Sequence, residues 1–183
     1  MVMGEDGYEG ASMRDMAQRA GVSVAALYYH FPSKHDLLYE FLDEAYDVIL
    51  RRVDRRLEGV GPTATARLDE MVATLIASYV HDDFARMAST VALREYARLA
   101  ETERLAIDAK RERIVSRMVA IVQEGCRSGE FDAEEPAETA RAIMGLCAVT
   151  IEPYAEFART LAEVIVLYQG FARRLAGAAA RDA

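Results

Sequence analysis

Ser12 to Lys34 reads SMRDMAQRAGVSVAALYYHFPSK, and its punctuation predicts two short helices, a glycine turn between them and a third helix starting at its end. Ser12 and Asp15 form the acidic variant of a capping box, whose side-chain oxygens accept orphan amide protons at a helix start. Met13, Met16, Ala17 and Ala20 then recur at helical spacing, so one face of this helix is expected to be buried. Gly21 supplies the left-handed stop. Ser23 caps a second helix, Val24 to His30, which Phe31-Pro32-Ser33 ends, and Ser33 with Asp36 caps the next. So short a turn forces a steep crossing, with Ala17 and Ala20 small enough for close approach. The second helix then projects from the domain and can enter a major groove.

The string GVSVAALYYHFPSKHDLL, Gly21 to Leu38, resembles the DNA-binding signature of the TetR (tetracycline-repressor) family: a glycine turn, a helix carrying L-Y-x-H-F, and a lysine opening the following helix. The resemblance implies an all-α fold with an N-terminal helix-turn-helix DNA-binding domain and a helical ligand-binding and dimerisation domain. It also implies roles for residues. Arg14 matches a position that reaches bases, where a guanidinium can grip a guanine edge. Tyr28, His30 and Lys34 match phosphate-contacting positions, and Tyr29 matches one where a ring touches base or sugar. Val24, Ala25 and Ala26 occupy the exposed first turn of the recognition helix. With no polar side-chain groups, they can read thymine methyls and groove shape. Phosphate contacts set register and affinity, not sequence. Leu27 and Phe31 read as core.

In the family, the segment resembling Gly7-Tyr8-Glu9-Gly10 follows a first helix, whereas here it comes almost at the start. The expectation is a DNA-binding domain without that helix, either because the chain as given begins late or because the domain is cut down. Met16, Leu27 and Phe31 are then expected to lose part of their cover.

The 183 residues suffice for one good core and a small second module; 52% are apolar and 28% charged, as in an ordinary globular protein. No run is long enough to span a bilayer and no signal-peptide pattern opens the chain, so a cytoplasmic location is expected. Cys126 and Cys147 make no metal-ligand spacing and read as reduced thiols in helices, with no metal or cofactor expected. A net charge of −8 opposes indiscriminate binding to a polyanion. Within Met1 to His35, Arg14, Arg19 and Lys34 face Glu5, Asp6, Glu9 and Asp15, so DNA affinity is expected to be modest and strongly salt-dependent.

Lys34 to Leu57 reads as one long helix, with Leu37, Leu38, Phe41, Ala45, Val48, Ile49, Arg52 and Arg56 at helical steps. Its basic cluster Arg51, Arg52, Arg55 and Arg56 complements the helix dipole and lies opposite Asp43, Glu44 and Asp47. Gly59-Val60-Gly61-Pro62 is the clearest break and divides the chain into residues 1–58 and 59–183. Beyond it, helices are expected from Thr63 to about Tyr79, from an Asp82 cap to about Leu99, and from Glu101 to Ser128 with Leu105, Ile114, Val115, Met118, Ile121 and Val122 inward. Two more run from Pro136 to about Ile151 and from Thr160 to Gly177. The last two are apolar over much of their circumference, through Ile143, Met144, Leu146, Cys147 and Val149 and through Leu161, Val164, Ile165, Val166, Leu167, Tyr168, Phe171 and Leu175. Such helices need cover on two sides, which implies a two-fold homodimer through a four-helix bundle and hence a palindromic double-stranded operator.

Met71, Tyr79, Met87, Met118 and Met144 can line an adaptable apolar cavity or simply form core, and the resemblance favours a cavity for a small effector. Arg94 and Tyr154 are candidate polar anchors. The segment LREYARLAETERLAIDAKRERIVSRMVAIVQEGCRSGEFD is similar to ligand domains that answer to acyl-CoA thioesters or other lipophilic acids. No phosphate-cradling glycine loop, nucleophile elbow or HExxH occurs, and His30, His35 and His81 form no catalytic arrangement, so no enzyme is expected. The expected function is a ligand-released repressor. The alternative is a helical dimer that binds a ligand or partner and has lost DNA binding.

Overall fold

The computed structural model describes residues 12–80, 83–151 and 159–178. The expectations on Gly7 to Gly10 and a preceding helix, the Asp82 cap, His81 and Tyr154 lie outside the described residues. Those residues are helical, without strands: α1 (Met13–Ala20), α2 (Val24–His30), α3 (Lys34–Glu58), α4 (Ala64–Val80), α5 (Asp83–Glu95), α6 (Glu101–Ser128), α7 (Pro136–Ala148) and α8 (Leu161–Leu175).

Local chemistry sets these boundaries. The Ser12 amide donates to Asp15 Oδ2 at 3.0 Å and the Asp15 amide to Ser12 Oγ at 3.2 Å, closing the capping box. Gly21, at φ 69°, ends α1, and the Val22 amide returns to the Ala17 carbonyl at 3.0 Å. Ser23 and Ser33 accept from the amides of Ala26 and Asp36 at 3.0 and 3.1 Å. Thr160 and Glu163 form a second capping box at α8, and Pro136 opens α7. Two helices tighten early. The stretch expected to run to Leu99 becomes a 3₁₀ turn at Tyr96–Arg98, because Leu99 is extended to lead into α6. Beyond Ala148, Val149–Ile151 is likewise 3₁₀, where Thr150 Oγ1 donates to the Cys147 carbonyl at 2.7 Å.

Helix α4 is the centre of the molecule. Leu68, Met71, Val72, Leu75 and Ile76 are fully buried, and α3, α6, α7 and α8 pack around them with Val53, Met118, Val122, Ile143 and Val164. Each such side chain contributes about 1.5–3 kcal/mol on burial. A second cluster joins Met13 and Met16 of α1 to Leu38, Leu42 and Ala45 of α3, Ala88 and Val91 of α5, and Leu99 and Ile107. It crosses the Gly59–Pro62 break, so the head shares its core with α5 and the start of α6. Met16 is buried, and Leu27 and Phe31 are half-buried against this cluster.

Four expectations need correction. On α1, Met13, Met16 and Ala17 are buried as expected, but Ala20, in the last turn before Gly21, is exposed. The buried stripe of α3 is Leu38, Leu42, Ala45, Ile49 and Val53, and Arg52 and Arg56 lie off it. Leu105 is 63% exposed: Ile107 is buried, and two residues turn a helix about 200°. Of the acids expected to face the α3 arginines, Glu44 holds Arg51 at 2.6 Å, whereas Asp43 and Asp47 are taken by Lys110 of α6.

Close approach fixes the end of α6. A Cβ on Gly125 would meet the Phe131 ring at 2.0 Å, and Phe131 is itself buried. Glu130, in the turn after α6, accepts from the Ala64 and Thr65 amides at 2.9 Å each and so caps α4 from a distance. Those amides, with the Ser128 hydroxyl, hold its carboxyl below the ordinary range.

Candidate nucleic-acid interface

Helix α2 has no buried residue, which is unusual for a helix carried on a domain surface. Only Leu27 turns partly inward, packed against the cluster that holds Met13 and Met16 of α1. The outward face therefore holds the side chains singled out from the sequence. Val24, Ala25 and Ala26 are exposed on its first turn; Tyr28 is 48% and Tyr29 84% exposed. A tyrosine ring so bare gains little by burial, and what it offers is a surface for contact. The rings of Tyr29 and His30 meet edge to face at 5.2 Å, which orients both. Arg14 is exposed on α1 and Lys34 half-exposed at the first residue of α3. The eight candidates thus come from α1, α2 and the start of α3, with the recognition-helix side chains free of the core.

Helix α3 carries this head into the remainder of the molecule, and α6 grips it at three levels. His35 Nε2 lies 2.7 Å from Glu103 Oε2. Lys110 Nζ sits 2.6 Å from Asp43 Oδ1 and 2.7 Å from Asp47 Oδ2, and Arg117 Nε donates to Asp54 Oδ1 at 2.9 Å. Partial burial opposes the Lys110 charge, but its two carboxylate partners outweigh that and raise its pKa. Glu103, Lys110 and Arg117 recur every seven residues, a spacing that keeps one helix face on a parallel neighbour. That seven-residue spacing is legible in the sequence.

The candidate ligand residues are divided between the two clusters. Met118 is fully buried, and Tyr79 and Met144 pack against the larger cluster, while Met87 packs against the smaller one. Burial pushes the Tyr79 phenol well above its ordinary value and pushes the Cys147 thiol up to about 12. Arg94 is exposed. A groove of about 580 Å³ opens elsewhere, between the end of α3, the outer face of α4 and the start of α8. Arg52, Arg55 and Arg56 form one wall and Leu161 and Ile165 another, with Ala73 and Ala77 between. The signal for it was the run of arginines at steps of three and four.

An exposed second helix on a capped helix-turn-helix, joined by one long helix to an α-helical core, defines the class of helical regulatory proteins. Residues 1–41 match the family described as bacterial regulatory proteins, tetR family, and residues 61–156, more than half of the chain, match a tetracyclin repressor-like C-terminal domain. The chain belongs to the TetR family. It is 28% identical over 126 residues to the HTH-type transcriptional repressor KstR2 of Mycolicibacterium smegmatis, a match covering 68% of this chain and 60% of that relative's length. A TetR-family regulatory protein from Rhodococcus RHA1 shares the fold at 22% identity, with a TM-score of 0.85 over 97% of this chain and 92% of that one. AibR, solved in complex with isovaleryl coenzyme A and operator DNA, shares it at 21% identity, with a TM-score of 0.81 over 97% and 94%.

Proposed function

We propose that this protein is a ligand-responsive DNA-binding transcriptional regulator, a cytoplasmic repressor that grips a palindromic operator as a homodimer and is released by a small apolar effector of acyl-CoA type. The observation that carries the reading is α2 itself: a capped helix on which Leu27 alone turns partly inward, with Val24 to Ala26, Tyr28, Tyr29 and His30 exposed. Arg14 supplies a base-reaching guanidinium, and Tyr28, His30 and Lys34 supply phosphate contacts. Kinship to KstR2 supports repression, and AibR, which shares the fold and was solved with isovaleryl coenzyme A and operator DNA, supports an effector of that chemistry.

Pairing is supported by the last two helices. Val149 after α7 is 66% exposed and Val166 of α8 64% exposed, beside the small exposed residues Ala142, Gly145 and Ala162. Small and apolar positions of this kind let two helix pairs close into a four-helix bundle. Residues 1–58 are the DNA-binding part in this reading, and 59–183 the effector and pairing part. Tyr79, Met87, Arg94, Met118, Met144 and Tyr154 remain candidates for effector contact, those in the cores by repacking when an apolar chain enters.

Selection of bound duplexes from a random pool at low and moderate salt tests the proposal. Recovery of one inverted repeat, lost as salt rises, is the expected result. Recovery of no preferred sequence, together with ligand binding by a stable dimer, would favour the helical dimer that does not read DNA. The net charge of −8 is the observation behind that second reading.

A further inference from the structure

The groove at the end of α3 is built from two chemistries that face each other. Arg52, Arg55 and Arg56 line one wall, and among the described residues one carboxylate lines the groove with them, Glu70, whose Oε1 lies 3.7 Å from Arg56 Nη1. Three arginines on one groove wall are a concentration of cationic side chains in a chain of net charge −8. The C-terminal end of a helix disfavours an anion, so an anionic guest here would depend on the arginine side chains reaching beyond it. Opposite them, Leu161 and Ile165 offer aliphatic surface, and Ala73 and Ala77 of α4 leave the space between unfilled. The volume of about 580 Å³ falls within the usual range for small-molecule sites.

We propose that this groove is the docking site for the phosphate-bearing head of the effector, with the beginning of its acyl chain on Leu161 and Ile165. The assignment rests on the ligand-responsive reading above and names a site on residues that reading did not use. Planar guanidinium groups spaced one helical turn apart match phosphate oxygens in pairs, and the apolar wall selects a phosphate ester that also carries a hydrocarbon. The same arginines belong to α3, whose other end is Lys34, next to α2. An effector drawing Arg52, Arg55 and Arg56 toward α4 and α8 therefore acts directly on the helix that carries the reading head. The contacts of Lys110 and Arg117 with α3 hold that helix against α6 when the groove is empty.

Calorimetric titration of the full chain with hexanoyl-coenzyme A, coenzyme A and hexanoate tests the site. The expected result is binding of hexanoyl-coenzyme A that weakens with salt, weaker binding of coenzyme A, and negligible binding of hexanoate. Arg55→Ala with Arg56→Ala, both exposed positions, should weaken hexanoyl-coenzyme A at least tenfold with unchanged thermal stability. Arg55→Lys with Arg56→Lys should recover part of the loss. Wild-type affinity in the alanine variant, equal affinity for hexanoate and its thioester, or no binding of hexanoyl-coenzyme A to the native chain would each overturn the assignment. Operator binding measured on the same alanine variant separates the two levels. If it binds DNA normally but no longer responds to hexanoyl-coenzyme A, the site and the regulator reading both stand. If the native chain binds no DNA while the arginines still control ligand affinity, only the regulator reading falls.

Discussion

Helices α2 and α4 are opposites. Helix α2 has no buried residue, whereas α4 buries eight of its seventeen, Ala64, Leu68, Met71, Val72, Thr74, Leu75, Ile76 and Ser78. One is held in place by its ends, through Ser23, Gly21 and the Ser33 cap that follows; the other is held by its sides. A helix held at its ends keeps its surface free for a partner, so substitutions on α2 should change binding and leave stability alone. A helix held by its sides has no such freedom, and substitutions around α4 should do the reverse.

The largest effect belongs to the core. Met118→Ala, at a fully buried position against α4, should cost about 2–5 kcal/mol in chemical denaturation, with DNA affinity per folded molecule unchanged. Gly125→Ala should cost about 1–3 kcal/mol, because the new methyl meets a Phe131 ring that is itself buried. If either substitution leaves the melting temperature unchanged, the packing around α4 is not as described. On the head the signs reverse. Arg14→Ala should weaken operator binding by about 1–3 kcal/mol and relax preference at particular base pairs, with stability within about 0.5 kcal/mol of the native chain. Tyr28→Ala or Lys34→Ala should weaken binding evenly across sequences, and Lys34→Ala should lower the salt slope by about one. A competition assay at several salt concentrations reads both quantities.

The smallest effect sharpens the comparison, because Glu130 supports α4 by an end contact. Its pKa is lowered by the Thr65 and Ala64 amides, so its contribution is present above the ordinary value of 4.5 and is lost as pH falls through the folded value. Glu130→Gln should remove about 1 kcal/mol near neutrality and flatten the acid limb of the stability profile. An acid limb identical to that of the native chain would show that this cap contributes nothing.

The head was legible in the sequence because its rules are local. Ser12, Asp15, Gly21, Ser23 and Ser33 each fix a helix end within three or four residues, and the structure places those ends where the caps predict. Helix α6 was equally legible, from Glu101 to Ser128. What escaped depends on neighbours distant in the chain. The choice of Ile107 over Leu105 for the core, the capture of Asp43 and Asp47 by Lys110, and the approach of Phe131 to Gly125 all require knowing which helix lies alongside. The arginine groove escaped for the same reason: its walls come from α3, α4 and α8, and the arginines alone read as charges that complement the helix dipole.

The central claim is that the bare face of α2 docks on DNA twice per operator, once from each protomer. Hydroxyl-radical footprinting on a selected duplex measures this directly, with the native chain and the Tyr28→Ala, Lys34→Ala pair side by side. Two protected patches related by a dyad, centred about one or more helical turns apart and fading together in the variant, are the expected result. A single patch, or two patches that persist unchanged in the variant, would contradict the account.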